Sequence, residues 1–134
     1  MFPEFRSQCP IASSLDLFGD RWTLIVLRSI FVGARRFGEL AAASDRIATN
    51  ILADRLERLE RYGLVSRRAY QDAPPRYEYA LTEAGADLLP VLQALAAWGG
   101  RHIPGRWPAP DWFRNATPAD FAPGGGEAAG GSER

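Results

Sequence analysis

Lysine is absent from this chain, and cysteine, methionine and histidine each occur once. A lone cysteine, Cys9, excludes an intramolecular disulfide, and with His102 as the sole histidine a multi-cysteine or histidine-rich metal site is excluded too. Low cysteine usage fits a reducing cytoplasm, the expected location. Long hydrophobic runs are missing: the aliphatic stretch Leu24 to Leu27 is far too short to span a bilayer, and no basic region followed by a long apolar run marks a signal peptide. No membrane partner is expected. Paired carboxylates, a glycine-rich phosphate loop and a nucleophile triad are also lacking, so no catalytic residue, metal or cofactor is assigned and no enzyme is predicted. A thiol enzyme built on Cys9 would have no base nearby in sequence. Net charge is zero, with a pI near 6.6, which departs from the strongly basic balance of many nucleic-acid binders.

The charge is unevenly spread. Arg35 to Arg76 holds nine arginines against six acids, while Tyr77 to Arg134 holds four arginines against seven. All sixteen basic residues are arginine, the side chain that pairs bidentately with phosphate. The basic middle contains the stretch on which the chain is centred, Ile47 to Gly63. Leu52, Leu56 and Leu59 fall at i, i+4 and i+7, one apolar stripe of a helix, and Thr49, Asn50, Asp54, Glu57, Arg58 and Arg61 point elsewhere. Gly63 follows as a C-terminal stop.

The flanking segments give this helix a context. Pro10 opens a first helix whose Ile11, Leu15 and Phe18 keep helical spacing up to Gly19. Asp20 is a good N-cap for a second, nearly all-apolar helix from Arg21 to about Phe31, with Trp22 as a core anchor. Gly33 ends it, and Arg35 to Leu40 opens a short third helix. Ser44-Asp45-Arg46 turns the chain into the central helix. Two short helices joined by a tight turn, the second amphipathic, form a helix-turn-helix. Leu64 to Tyr70 and Tyr77 to Leu81 then read as strands around a polar, proline-stiffened tip, Gln71 to Arg76. A helix-turn-helix followed by such a hairpin is a winged helix. Thr82 to Gly85 signals one more helix, expected to bend or break near Leu89 because of Pro90. It runs to about Trp98, where Gly99-Gly100 stops it. Its surplus of apolar surface predicts a symmetric dimer, with Trp98 as a core or interface anchor. Beyond Pro104, Trp107, Trp112 and Phe113 are expected to pack back, whereas Gly124 to Arg134 reads as a disordered tail.

The predicted class is therefore α+β, mainly α: a winged helix-turn-helix with a two-stranded hairpin wing and extra N- and C-terminal dimerisation helices. A short helix with hydrogen-bonding side chains at its N-terminal end has the form of a DNA major-groove reader. Residues 1–107 are therefore expected to form a DNA-binding and dimerisation domain, and residues 108–134 a proline- and glycine-rich tail.

Several runs in fixed order carry a family resemblance: Cys9-Pro10-Ile11-Ala12, Gly19-Asp20-Arg21-Trp22-Thr23-Leu24, Arg36-Phe37-Gly38-Glu39-Leu40, Asn50-Ile51-Leu52-Ala53-Asp54-Arg55-Leu56, and Pro75-Arg76-Tyr77-Glu78-Tyr79 with Leu81-Thr82-Glu83-Ala84-Gly85. From about residue 9 to 100 the chain resembles the HxlR-type, MarR-like bacterial transcriptional regulators. The resemblance implies a homodimer on an inverted-repeat operator in double-stranded DNA, dimerising through its first and last helices. It places Thr49, Asn50, Asp54 and Arg55 on the recognition helix, Arg36 at the start of the supporting helix and Arg76 on the wing. At Ala48 the chain departs from the frequent serine cap, so Thr49 is expected to cap instead.

Each candidate has a competing structural role. Asparagine pairs bidentately with adenine and a threonine methyl touches thymine, so Thr49 and Asn50 are the candidates for base edges. Asp54 either accepts from cytosine N4 or pairs with Arg58 at i+4. Arg55, at the flank of the apolar stripe, is expected to reach a phosphate. Arg58 and Arg61 are better read as helix-stabilising partners of Asp54 and Glu57. Arg76, alone at a hairpin tip, is assigned to a phosphate or the minor groove. Arg67 and Arg68 lie on opposite strand faces, so at most one of them meets DNA. Cys9, at the start of helix one where the dipole favours anionic sulfur, is either a redox or electrophile sensor, as the resemblance implies, or a packing cysteine. The effector would then be a small molecule or electrophile. The competing function is a winged helix used only for protein interaction.

Overall fold

The stripe that defines the central helix is its buried face: Leu52, Leu56 and Leu59 are 0, 2 and 0 % exposed. Burying each such leucine is worth about 1.5–3 kcal/mol. In a computed structural model the chain is described from residue 2 to residue 123, and it divides into two compact units, one ending at Thr82 and one starting at Glu83.

The first unit contains helices α1 (Pro10–Phe18), α2 (Thr23–Phe31), α3 (Phe37–Ala43) and α4 (Thr49–Arg61), followed by strands β1 (Val65–Asp72) and β2 (Pro75–Leu81). Helix α2 is its centre, packing on α3, α4 and β2 through Val26, Leu27 and Ile30, each 0 % exposed. It starts two residues later than the sequence predicts. The Asp20 carboxylate accepts from the backbone N–H groups of Trp22 at 2.9 Å and Thr23 at 3.2 Å and from the Thr23 hydroxyl. These bonds hold Arg21 and Trp22 in a turn that precedes the helix.

The turn between α3 and α4 is fixed from α2. Asp45 and Arg46 both take positive φ, 56° and 64°, a left-handed conformation that costs non-glycine residues energy and persists where neighbours enforce it. Arg28 supplies part of that enforcement, donating to the Ala43 carbonyl at 2.7 Å and pairing with Asp45 at 3.3 Å. The buried Ser29 and Ser44 hydroxyls share a hydrogen bond of 2.8 Å. At the other end of α4, Gly63 has φ 78°, the left-handed stop that glycine adopts without a Cβ clash.

The hairpin is longer and tighter than its sequence suggests. Asp72 pairs with Pro75, so Pro75 and Arg76 belong to β2 and only Ala73-Pro74 turn; a bulge between Ala69 and Gln71 leaves Tyr70 without a register partner. Proline at the first position of an edge strand forfeits no ladder bond there, which is why the proline pair does not open a loop. A bridge between Arg36 and Glu78 and a 2.8 Å bond from the Tyr79 N–H to the Arg35 carbonyl add the entry to α3 as a short third edge. The fold is a winged helix, mainly helical, with a two-stranded antiparallel wing.

The second unit holds α5 (Glu83–Ala86), α6 (Leu89–His102), α7 (Asp111–Asn115) and a 3-10 turn, Pro118–Asp120. Pro90 lies in the first turn of α6, after the chain has broken at Asp87 and Leu88. Helix α6 does not stop at Gly99-Gly100 but runs through both to His102. Each glycine costs about 1 kcal/mol there, and Arg101 and His102 in the last turn favour continuation by complementing the helix dipole. Gln93 ties the chain after residue 107 to this unit, its amide donating to the carbonyls of Phe113 and Ala116, each at 2.9 Å. Of the aromatics expected to pack back, only Phe113 is buried; Trp107 is 92 % and Trp112 50 % exposed. Trp98, at 60 %, is a surface residue rather than a core anchor. The predicted tail, Gly124 to Arg134, lies outside the described residues. No described helix is long and apolar enough to cross a membrane.

Candidate DNA-binding surface

Helix α4 begins without a side-chain cap. Ala48 occupies the N-cap in an extended conformation and Thr49 is already the first helical residue, so the threonine does not cap the helix as its sequence position suggests. Thr49, Asn50 and Ala53 are exposed, and the side chains of Thr49 and Asn50 make no hydrogen bond among the described residues. The result is a turn of orphan N–H groups beside an amide and a hydroxyl that have not spent their donors and acceptors. Such an end can meet phosphate oxygens with its backbone and base edges with its side chains.

One turn further along, the charges serve the fold. Arg55, whose side chain is only 16 % exposed, donates to Asp20 at 2.8 Å and to Asp54 at 2.5 Å. Asp54 also takes Arg58 at 2.9 Å, the i,i+4 pair. Burial opposes ionisation of Asp20, but the hydrogen bonds from Thr23, Arg55 and Trp22 outweigh it and hold the carboxyl at about 2. The same bond to Asp20 raises the Arg55 guanidinium above its ordinary value. Arg61 has no ion pair with Glu57 among the described residues; its guanidinium sits 5.7 Å from the ring centre of Tyr62, a contact that wins because the ring lies next to it at the helix end.

The wing gathers a second set of arginines. Arg36 reaches Glu78 at 3.1 Å and lies 3.8 Å over the Tyr70 ring. Arg68 reaches the other oxygen of Glu78 at 2.8 Å and is 81 % exposed. On the opposite face Arg67 pairs with Glu60 at 3.3 Å and covers the Tyr77 ring at 4.0 Å. The two neighbouring arginines thus part as strand alternation requires, and Arg68 is the more exposed of the two. The Arg76 side chain has no ion-pair or hydrogen-bond partner among the described residues. Together with Arg36, Phe37 and Tyr70 it lines an open cleft of about 330 Å³ at the junction of α3 and the wing. Hydrogen bonds from Arg68 and then Arg36 keep Glu78 ionised below the usual carboxylate range.

Sequence reasoning picked out Thr49, Asn50, Arg36 and Arg76 but not Glu78. The signal was available in the alternation of β2, which puts Arg76 and Glu78 on one face. Cys9 is exposed and stands at the N-cap of α1, as its position before Pro10 predicts.

A two-helix reader with an uncapped, polar leading turn and an arginine-bearing wing defines the class: a helix-turn-helix transcriptional regulator. Residues 17–106 match the HxlR-like helix-turn-helix family, and the chain belongs to that family. It is 40 % identical over 112 residues to the HTH-type transcriptional regulator Rv3095 of Mycobacterium tuberculosis, covering 84 % of this chain and 70 % of that one. Among solved structures it is similar to the reduced form of the transcriptional regulator YodB of Bacillus subtilis, with TM-score 0.60 and 30 % identity over 75 % of this chain and all of that one. It is also similar to the reduced form of the redox regulator HypR, with TM-score 0.62 and 32 % identity over 71 % of this chain and 94 % of the other. All three are named as regulators.

Proposed function

We propose that the protein is a homodimeric, sequence-specific DNA-binding regulator acting on an inverted-repeat operator. The observation that carries this reading is the leading turn of α4, uncapped and exposed at Thr49 and Asn50 while Leu52, Leu56 and Leu59 bury the opposite face. In this reading Thr49 and Asn50 read bases and Asp54 stays at the groove edge, occupied by Arg55 and Arg58. Arg36 and Arg76 grip phosphate, and Arg55 serves chiefly to hold α4 in place. Residues 1–107 provide DNA binding and dimerisation, and no part in either is assigned to residues 108–134. Dimerisation is supported by apolar residues left at the surface: Ile11 and Leu15 on α1, 72 and 55 % exposed, and Leu95 and Trp98 on α6, 54 and 60 % exposed. The exposed Cys9 thiol supports a switch by oxidants or electrophiles, in keeping with the redox regulator among the structural neighbours.

The test is a gel shift with the promoter fragment upstream of the gene at two salt concentrations. Saturable binding that weakens with salt and exceeds binding to a scrambled duplex is expected. Absence of binding, or binding indifferent to sequence and salt, would overturn the reading and leave a protein-interaction module in its place.

A further inference from the structure

We infer that Glu78 is a specificity-determining residue whose carboxylate stands between Arg36 and Arg68 in the place a DNA backbone phosphate takes on binding. The inference rests on the DNA-binding reading above and adds a residue and a role to it. Glu78 offers one oxygen to each guanidinium, 3.1 Å from Arg36 and 2.8 Å from Arg68. That is how a phosphodiester, with its two non-bridging oxygens, would engage two arginines. The guanidinium of Arg36 is already oriented by the ring of Tyr70 beneath it at 3.8 Å, so exchanging one anion for another needs no rearrangement of the arginine. The exchange is also inexpensive. The side chains of Arg36 and Arg68 are 49 and 81 % exposed, and ion pairs in such settings are weak. Arg76, two residues from Glu78 on the same strand face and at the adjacent cleft, supplies a charge that Glu78 does not neutralise.

Specificity follows from what loosely bound DNA senses. At a distance one face of the wing and the start of α3 present Arg36, Arg68 and Arg76 with Glu78 among them, a patch whose attraction is cut by Glu78. The full grip of Arg36 and Arg68 becomes available only to a phosphate delivered to the carboxylate's own position, which happens when α4 is seated in its groove. Non-specific complexes, which depend on charge alone, are therefore penalised more than the seated complex.

The experiment compares wild type with Glu78→Gln on a random-sequence duplex and on an operator that wild type selects from a random pool. Both are titrated over a series of salt concentrations, with melting temperature recorded for each protein. The expected result is tighter random-duplex binding by about five- to tenfold, with a salt slope steeper by about 0.9 per arginine freed. Operator affinity should rise less, so the specificity ratio falls. Unchanged random-duplex affinity and slope in a folded Glu78→Gln protein would overturn the inference, as would an equal gain on both duplexes. Should that variant fail to fold, Arg68→Ala decides: weaker binding with a shallower slope is expected, and no change in either overturns the assignment. Wild type that binds neither duplex overturns the DNA-binding reading itself, whereas wild-type binding with an unmoved Glu78→Gln slope overturns this inference alone.

Discussion

Arg55 of α4 and Asp20, which precedes α2, are joined by a 2.8 Å charge-assisted hydrogen bond across 35 residues of sequence. Because the same carboxylate organises the start of α2, one side chain couples the position of α4 to the centre of the core. Arg55→Ala leaves Asp20 without its charged partner in a half-buried site, and a loss of about 2 kcal/mol is expected by denaturant titration. If the arginine is a tether, its removal lowers operator affinity while the salt slope stays at the wild-type value; a slope shallower by about 0.9 would instead make it a phosphate contact.

The same pair sets an acid limit. The folded carboxyl of Asp20 titrates at about 2, against an ordinary 3.8, so the unfolded state binds the proton first. Its contribution is complete above about pH 5 and is lost as pH falls toward 2. Allowing for solvent screening it amounts to about 1 kcal/mol. Asp20→Asn should flatten the stability profile between pH 5 and 2; an unchanged acid limb would show that other carboxylates govern it.

Asn50 and Arg76 should separate reading from gripping. Asn50→Ala is expected to cost about 1–3 kcal/mol on the operator and little on random DNA, leaving the salt slope intact. Arg76→Ala should weaken binding to both duplexes alike and make the slope shallower by about 0.9 per protomer. Competitive binding over several salt concentrations distinguishes them, and identical behaviour of the two variants would contradict the division of labour.

The dimer is tested at α1. Leu15, 55 % exposed, can be changed to glutamate without burying a charge in the protomer. Leu15→Glu should shift sedimentation toward the monomer and reduce operator affinity more than tenfold, while secondary structure by circular dichroism is retained. Unaltered sedimentation would place the interface elsewhere or remove it.

Cys9→Ser should bind DNA as wild type does but lose the response to diamide or methylglyoxal. With one thiol per chain, diamide can oxidise only pairs of Cys9 from two protomers, each giving up a hydrogen to the oxidant. A disulfide-linked dimer on a non-reducing gel is then expected from wild type alone. A serine variant that still responds would remove the switch.

The order of helices, the turn and the hairpin were legible because periodicity and stop signals are local. Leu52, Leu56 and Leu59 announce their helix in eight residues, and Gly63 closes it. What escaped depended on partners distant in sequence. Nothing near Arg55 pointed to Asp20, although an arginine flanking an apolar stripe calls for a buried acid. Arg36 and Glu78 lie 42 residues apart, and only the short third edge brings them together. Propensity also misled at Gly99-Gly100, where Arg101 and His102 carry the helix onward, and at Pro74-Pro75, where one proline turns and the other opens a strand. Thr49 was expected to cap, but the chain enters α4 one residue earlier and leaves its hydroxyl free.

The bridge from Arg36 to Glu78 also makes the reader stiff. The entry to α3, and with it the supporting helix, shares backbone bonds with the wing, so the wing cannot be re-aimed independently of the helix-turn-helix. Adaptation between the two contact points then falls to the duplex. Base steps that bend or twist readily between the α4 groove and the wing lower the cost of seating, and stiff ones raise it. Part of the operator's sequence preference is therefore expected at positions that no side chain touches.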